Sequence, residues 1–144
     1  MIYRAALVAA LLAVAGATAF AANAPTLVPP SQVHWTAGTG ALAGKRIALL
    51  VGNPAKAGAF VMRVEIPDGG KFPPHYHPVL EMVTVLQGTL LVGIGDKMVP
   101  AKMKAMPAGS FFSVPAGVHH YAMARGDTII QLNDIGPWGM TLVK

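Results

Sequence analysis

The sequence predicts an all-β protein folded as a sandwich or barrel of short strands, and three observations lead to this class. Apolar runs of five to nine residues recur along the chain, and Gly or Pro bounds most of them. Glycine and proline are abundant, with 16 and 12 among 144 residues, whereas only 12% of the residues are charged. Beyond the N-terminal segment, no stretch keeps the apolar period of an amphipathic helix.

The predicted strands follow one another in chain order, with turn-forming residues between them. Their lengths suit strands better than helices, and β-branched or aromatic residues fill several of them. The runs are RIALLVG (46–52), AFVMRVEIP (59–67), EMVTVLQG (81–88), TLLVGIG (89–95), SFFSVP (110–115), HHYAMA (119–124) and TIIQL (128–132). The turns between them are PDGG (67–70), GDK (95–97), PAG (107–109 and 115–117) and RGD (125–127).

The first 21 residues are typical of a secretory signal peptide. Arg4 forms a short positive region, an apolar stretch follows at 5–15, and Ala-x-Ala sites then place cleavage near Ala19 to Ala22. An uncleaved membrane anchor is the alternative, because eighteen residues without a strongly polar side chain follow Arg4. The chain then divides into residues 22–40, a linker with a first strand, and a single barrel domain at 41–144. We expect a periplasmic or secreted protein without membrane contact after cleavage.

Charge and cysteine content exclude several classes of function. Removal of Arg4 leaves ten Lys and Arg against six Asp and Glu, a net charge of +4. These basic residues are scattered and no aromatic residues alternate with them, so we expect no nucleic-acid partner. The positive charge favours small anionic molecules only mildly. The chain contains no cysteine, which excludes disulfides, thiolate nucleophiles and cysteine-based metal sites.

A candidate metal site lies in the segment PPHYHPVLEMVTVLQG. His75 and His77 are two residues apart, so on a strand they face the same side. The strand ends at Pro78, and a tight turn brings Glu81 back beside the two histidines. An isolated charge in such apolar surroundings is costly, and a divalent transition metal would be its partner.

A fourth ligand is expected from the segment PAGVHHYAM. His119 and His120 are neighbours, so on a strand they face opposite sides. At most one of them can face the interior that His75 and His77 share. The spacing alone leaves both histidines open as candidates.

Two spaced motifs resemble those of the cupin superfamily, and in particular small secreted single-domain monocupins. The resemblance covers roughly residues 58–133. The first motif has the spacing Gly-x5-His-x-His-x3-Glu-x6-Gly and consists of Gly69, His75, His77, Glu81 and Gly88. The second has the spacing Gly-x5-Pro-x-Gly-x2-His and consists of Gly109, Pro115, Gly117 and His120. Cupins often have Asn four residues later, where this chain has Ala124.

The resemblance implies a cupin-type double-stranded β-helix, or jelly-roll barrel, with a metal inside. The implied ligands are His75, His77, Glu81 and His120, and His119 is displaced to the outer face or the barrel mouth. Such a site accepts several divalent metals, namely Fe, Mn, Zn, Ni, Co or Cu. The resemblance also implies a homodimer.

Four further residues are candidates for the substrate pocket. Val83, Val85 and Ala122 share the parity of the ligands on their strands and should form a dry wall. Gln131, with Asn133 on the same strand face, either orients a small-molecule ligand or belongs to a solvated face. Outside the ligand set, His119 is the candidate general base, because imidazole titrates near neutral pH.

We therefore expect a secreted, metal-dependent enzyme that acts on a small polar molecule. Four protein ligands leave positions of a six-coordinate metal open, which is typical of catalytic sites. An oxygenase-like reaction is favoured over an isomerase-like one. The alternatives are a non-catalytic extracytoplasmic module that binds a metal or small ligand, and a purely structural dimer.

Overall fold

Nine antiparallel strands curl into a barrel in the computed structural model, which describes residues 24–144. Strands β1, β2, β3, β8, β4 and β9 neighbour one another in this order, and β5 pairs with β6, β7 and β8. The strands are β1 (Thr36–Ala37), β2 (Arg46–Val51), β3 (Gly58–Ile66), β4 (Lys71–Tyr76), β5 (Glu81–Ile94), β6 (Lys104–Pro107), β7 (Phe111–Val114), β8 (His120–Gly136) and β9 (Thr141–Leu142). Short 3₁₀ turns lie at Pro30–Gln32, Gly40–Leu42 and Pro100–Lys102. The prediction of an all-β barrel is confirmed.

Two long strands each combine a pair of runs that were predicted as separate strands. The runs at 81–88 and 89–95 form β5, and the runs at 119–124 and 128–132 form most of β8. Residues 125–127, predicted as a turn, therefore lie inside β8. Strands β6 and β9 were not predicted, because β6 contains a proline and β9 has only two residues.

The two long strands pair with each other along most of their length and bend together near Gly88. The β5–β8 register shifts on both sides of Gln87, and Gly88 has a φ of +71°. A Cβ atom at Gly88 would lie 2.5 Å from the Asp127 carbonyl oxygen, so only glycine fits this close approach. The bulge reverses the inward parity of β5: Val85 and Leu90 are both buried, although residues an odd number of positions apart face opposite sides of a regular strand.

The core consists of inward-facing apolar residues from β3, β5 and β8, together with Phe72 of β4. The even-numbered residues of β3 alternate with outward-facing neighbours, as expected for a strand with one buried face. Buried members of the core are Phe60, Met62, Val64, Ile66, Phe72, Val83, Val85, Leu90, Ala122, Ala124, Ile130 and Leu132. Because this core surrounds the barrel axis, any polar residue with inward parity is removed from water.

The N-terminal predictions meet the described residues only in part. The proposed signal peptide at 1–21, with its whole cleavage region at Ala19 to Ala22, lies outside the described residues. In the 22–40 segment, β1 pairs with β2 through Thr36 and Ala37. Among residues 24–144, no helix is long and apolar enough to cross a membrane.

Candidate metal centre

Three buried histidines converge inside the barrel from two chain segments. His75 is the penultimate residue of β4, His77 directly follows that strand, and His120 begins β8. His75 and His120 are direct cross-strand partners, and the Gly117 amide donates a hydrogen bond to the His77 carbonyl oxygen (2.9 Å). One ring nitrogen from each histidine lies within 4.8 Å of the others. The three imidazoles are therefore positioned so that they could hold a metal ion.

Backbone carbonyls fix which ring nitrogen of each histidine is free. The Nδ1 atoms lie 2.7, 2.6 and 3.0 Å from the carbonyl oxygens of Pro73, Gly139 and Val118, for His75, His77 and His120 respectively. A carbonyl oxygen can only accept a hydrogen bond, so each Nδ1 carries the hydrogen. In the neutral rings, the lone pairs are then on the Nε2 atoms. This is the arrangement in which metal-binding histidines are usually held.

Glu81 adds a carboxylate to the three histidines. It begins β5, is 7% exposed, and pairs with Val114 of β7. Its oxygens lie 3.3 Å from His77 Nε2 and 3.2 Å from His120 Nε2. We call His75, His77, Glu81 and His120 the histidine cluster. Three imidazole nitrogens and one carboxylate are a donor set that fits a divalent transition metal.

The groups of the histidine cluster shift one another's pKa values in opposite directions. Burial alone would raise the pKa of Glu81, but the His120 and His77 rings beside it lower that pKa to about 2. Burial, together with the His120 ring, lowers the pKa of His75 to about 4. For His77 burial acts against the charged ring, but the Glu81 carboxylate outweighs it and raises the pKa. The pair therefore favours the charged form of the His77 ring beside an ionised Glu81 carboxylate.

Asp134 is a buried carboxylate beside the histidine cluster that the sequence analysis did not single out. It is 1% exposed, and its Oδ1 accepts a hydrogen bond from the Met82 amide (2.7 Å). This contact holds the start of β5, where Glu81 is located. Burial raises the pKa of Asp134 to about 6 despite that hydrogen bond, and the nearby Glu81 charge acts in the same direction. The even parity that Asp134 shares with His120 was the signal for its inward direction.

Three buried polar atoms near this end of the barrel have no hydrogen-bond partner among residues 24–144. They are His77 Nε2, Asp134 Oδ2 and Trp138 Nε1. His77 Nε2 is close to Glu81 but does not have hydrogen-bond geometry with it. The Trp138 ring stacks on His77, with ring centroids 4.8 Å apart and planes 24° from parallel. Buried polar atoms without partners are rare, and one of these, His77 Nε2, is itself a candidate ligand atom.

A narrow cavity of about 30 Å³ adjoins the histidine cluster. Val83 and Ala122 line it, as the sequence predicted, together with His75, Glu81 and His120. Val85 is fully buried in the apolar core but does not line the cavity, because it lies next to the bulge of β5.

His119, the candidate general base, does not line this cavity. It precedes the first residue of β8 and faces outward, with 37% of its side chain exposed. Its Nδ1 lies 2.6 Å from Asp96 Oδ1, and its ring stacks on Tyr76 with centroids 5.1 Å apart. The alternation of side chains along the strand separates it from His120.

Gln131 also lies outside the cavity, contrary to its assignment to the substrate pocket. Its Oε1 accepts a hydrogen bond from Arg63 Nε (2.9 Å), and its Nε2 donates one to Asn133 Oδ1 (3.2 Å). Because β8 continues through residues 125–127, even-numbered residues face inward from His120 onward. Ile130 and Leu132 therefore line the cavity, and Gln131 belongs to the outer face.

Comparison with known proteins identifies the fold and agrees with the motif spacing. A family model described as a cupin domain matches residues 62–136. Germin-like protein 5-1 of Oryza sativa subsp. japonica is 42% identical over 72 residues, which are 49% of this chain and 33% of that protein. Oxalate oxidase 1 of Hordeum vulgare is 33% identical over 91 residues, or 56% of this chain and 44% of that protein. The aligned part thus spans less than half the length of these two curated relatives.

Solved structures share the fold at low sequence identity. The polyketide cyclase RemF from Streptomyces resistomycificus superposes with a TM-score of 0.64 at 16% identity, over 84% of this chain and 87% of that one. At this identity, the likeness shows the jelly-roll fold alone. The histidine cluster and the cavity of this chain remain the basis for assigning a function to it.

Proposed function

This chain belongs to the cupin family, and we propose that it binds one divalent transition metal through His75, His77, Glu81 and His120 and acts as a metal-dependent enzyme on a small molecule. One observation carries the proposal. Three histidines, each with Nδ1 occupied by a backbone carbonyl, bring their ring nitrogens within 4.8 Å of one another beside a buried carboxylate.

The residues of the chain have distinct roles in this proposal. The carbonyls of Pro73, Gly139 and Val118 orient the imidazoles, and the Glu81 carboxylate supplies negative charge for a cation. The apolar wall excludes water and strengthens electrostatic interactions inside the cavity. When bound, the metal supplies Lewis acidity and, if it is redox-active, electron transfer.

An oxygenase-like reaction is favoured over an isomerase-like one. Among the described residues, the cavity wall contains no acidic or basic side chain outside the histidine cluster. Proton-transfer chemistry would need such a group at the substrate. The relative named oxalate oxidase supports an oxidation, although the aligned region covers only part of that protein.

A non-catalytic extracytoplasmic module that binds a metal or small ligand is the second candidate. The small cavity favours it, because about 30 Å³ holds only about two or three water-sized groups. Oxygen consumption measured with a panel of diols, keto acids and phenols separates the two functions. Stabilisation of the metal-loaded chain by a panel member, without any consumption or product, would favour the binding module.

Metal content of the purified mature chain tests the proposed site. We expect one divalent metal ion per chain by elemental analysis, and loss of that metal in His77→Ala. Tyr76→Phe is the matched control, because Tyr76 is the preceding residue and faces outward. Full metal content in folded His77→Ala would refute the site.

Secretion and dimer formation complete the proposal. The signal peptide at 1–21 predicts a mature N-terminus near Ala22, which mass spectrometry of the exported protein checks. A homodimer is proposed from the resemblance to cupins and from exposed apolar side chains such as Phe111 and Leu86, and light scattering measures its mass. The identity of the metal is left to elemental analysis of protein isolated from its own compartment.

A further inference from the structure

The wall of the cavity is almost entirely apolar. Besides His75, Glu81 and His120 of the histidine cluster, the described residues that line it bear carbon or thioether side chains, with the Trp138 indole as the single additional nitrogen. Carboxylates and ammonium or guanidinium groups are therefore absent from the rest of this described wall. A ligand can form polar contacts at one end only, where the histidine cluster lies.

The cationic side chains near the barrel interior are engaged elsewhere. Lys45 stands over the Phe72 ring, 4.5 Å from its centroid, and is not part of the cavity lining. Arg63 donates a hydrogen bond to Gln131 on the outer face. Arg46 pairs with Glu65. A second negative charge on a ligand would thus find no positive partner in the wall.

These features determine which part of a ligand the cavity favours. A carboxylate placed against Val83 or Leu132 loses its hydration and gains no hydrogen bond, which is strongly unfavourable. A methyl or methylene group in the same place is favourably buried. The small volume limits the number of such groups.

We propose that the cavity selects a compact molecule with one metal-chelating end and a short uncharged remainder, and rejects molecules with a second carboxylate. This inference rests on the proposed function, since the chelating end needs the metal. It differs from the mild preference for anions expected from the net charge, because the basic residues lie outside the cavity.

Two 2-oxo acids with the same chelating end test the inference. 2-Oxopentanoate ends in a methyl group, and 2-oxoglutarate ends in a carboxylate. Calorimetric titration of the nickel-loaded chain should show that 2-oxoglutarate binds at least about tenfold more weakly. The metal-free chain should bind neither compound. Equal or tighter binding of 2-oxoglutarate, or binding of neither compound to the metal-loaded chain, would overturn the inference.

Adjacent residues of β8 provide a matched pair of variants. Leu132→Ala enlarges the cavity and should improve the binding of the longer 2-oxooctanoate at least about threefold relative to 2-oxopentanoate. Gln131→Ala, on the outer face, should leave this ratio unchanged. A ratio that moves equally in both variants would contradict the assignment of the wall. The titration of the unaltered chain remains decisive if Leu132→Ala does not fold.

The outcomes distinguish this inference from the proposed function. A chain that binds no nickel refutes the metal site and, with it, the selection by the wall. A chain that binds nickel but does not discriminate between the two acids refutes the selection alone.

Discussion

Two histidine–carboxylate contacts at consecutive positions of the chain differ in almost everything except their chemistry. His120 lies 3.2 Å from Glu81 inside the barrel, where the two side chains are 4% and 9% exposed. His119 lies 2.6 Å from Asp96 on the outside, where they are 37% and 69% exposed. The closer pair matters less for metal binding, because water screens it and, among residues 24–144, no further candidate ligand converges on it. Burial and convergence, rather than the distance within one pair, mark the candidate site.

Replacement of each histidine in turn should give the largest effect, a difference in metal affinity between the two variants. His120→Ala removes an imidazole from the histidine cluster, and we expect affinity for a divalent metal to fall at least about 100-fold. His119→Ala should leave that affinity unchanged. Competition titration with a chromogenic chelator measures both. Equal losses in the two variants would abolish the distinction between the contacts.

The Asp134→Asn variant tests how the buried Asp134 carboxylate changes the free energy of unfolding of the metal-free chain. Burial raises the pKa of Asp134 from 3.8 to about 6, so between these pH values the folded chain holds a proton that the unfolded chain has released. The contribution of Asp134 is therefore most favourable at low pH and is lost as the pH rises through 6.

Relative to Asp134→Asn, the unaltered metal-free chain should lose up to about 3 kcal/mol of unfolding free energy between pH 4 and pH 6.5. The amide oxygen of Asn can still accept the hydrogen bond from Met82. Urea unfolding at several pH values measures the difference, in which contributions common to both chains, such as that of His75, cancel. A difference that does not change with pH would mean that Asp134 ionises normally.

Metal affinity should decrease as the pH is lowered, because His77 has to lose a proton before it can bind a cation. Glu81 raises the pKa of His77 above its usual value of 6.5. Below that value, we expect affinity to decrease about tenfold per pH unit for each proton displaced. Calorimetric titration with nickel between pH 5 and pH 6.5 checks this slope, and constant affinity over the range would contradict it. In Glu81→Gln the decrease should begin at lower pH.

The smallest effect is expected at the exposed contact. Asp96→Asn removes the charge beside His119, and the free energy of unfolding should change by less than about 1 kcal/mol. Metal content should stay the same. Urea unfolding and elemental analysis measure the two quantities. Loss of metal in this variant would show that the outer pair supports the inner one.

The fold class and the histidine cluster were predictable from local sequence. Short apolar runs between turn residues predict strands, and the His-x-His spacing places two imidazoles on one face. The choice between His119 and His120 depended on resemblance to cupins, because alternation alone shows only that the two residues face opposite sides. The structure gives the inner position to His120.

Other features depend on long-range packing that local patterns do not contain. Whether Gly88 and residues 125–127 end a strand or bend it depends on the pairing between β5 and β8, and this decided the direction of Gln131. The inward direction of Asp134 likewise depends on its parity on the continuous β8 strand. The stacking of Trp138 on His77 requires the chain after β8 to return over the histidine cluster.

X-ray absorption spectroscopy of the nickel-loaded mature chain tests the central claim most directly, because it counts the imidazoles that bind the metal. The structure predicts three imidazole nitrogens, with an oxygen donor from Glu81, and one imidazole fewer in His120→Ala. Nickel bound with fewer than three imidazoles in the unaltered chain, or with the same number in His120→Ala, would contradict it.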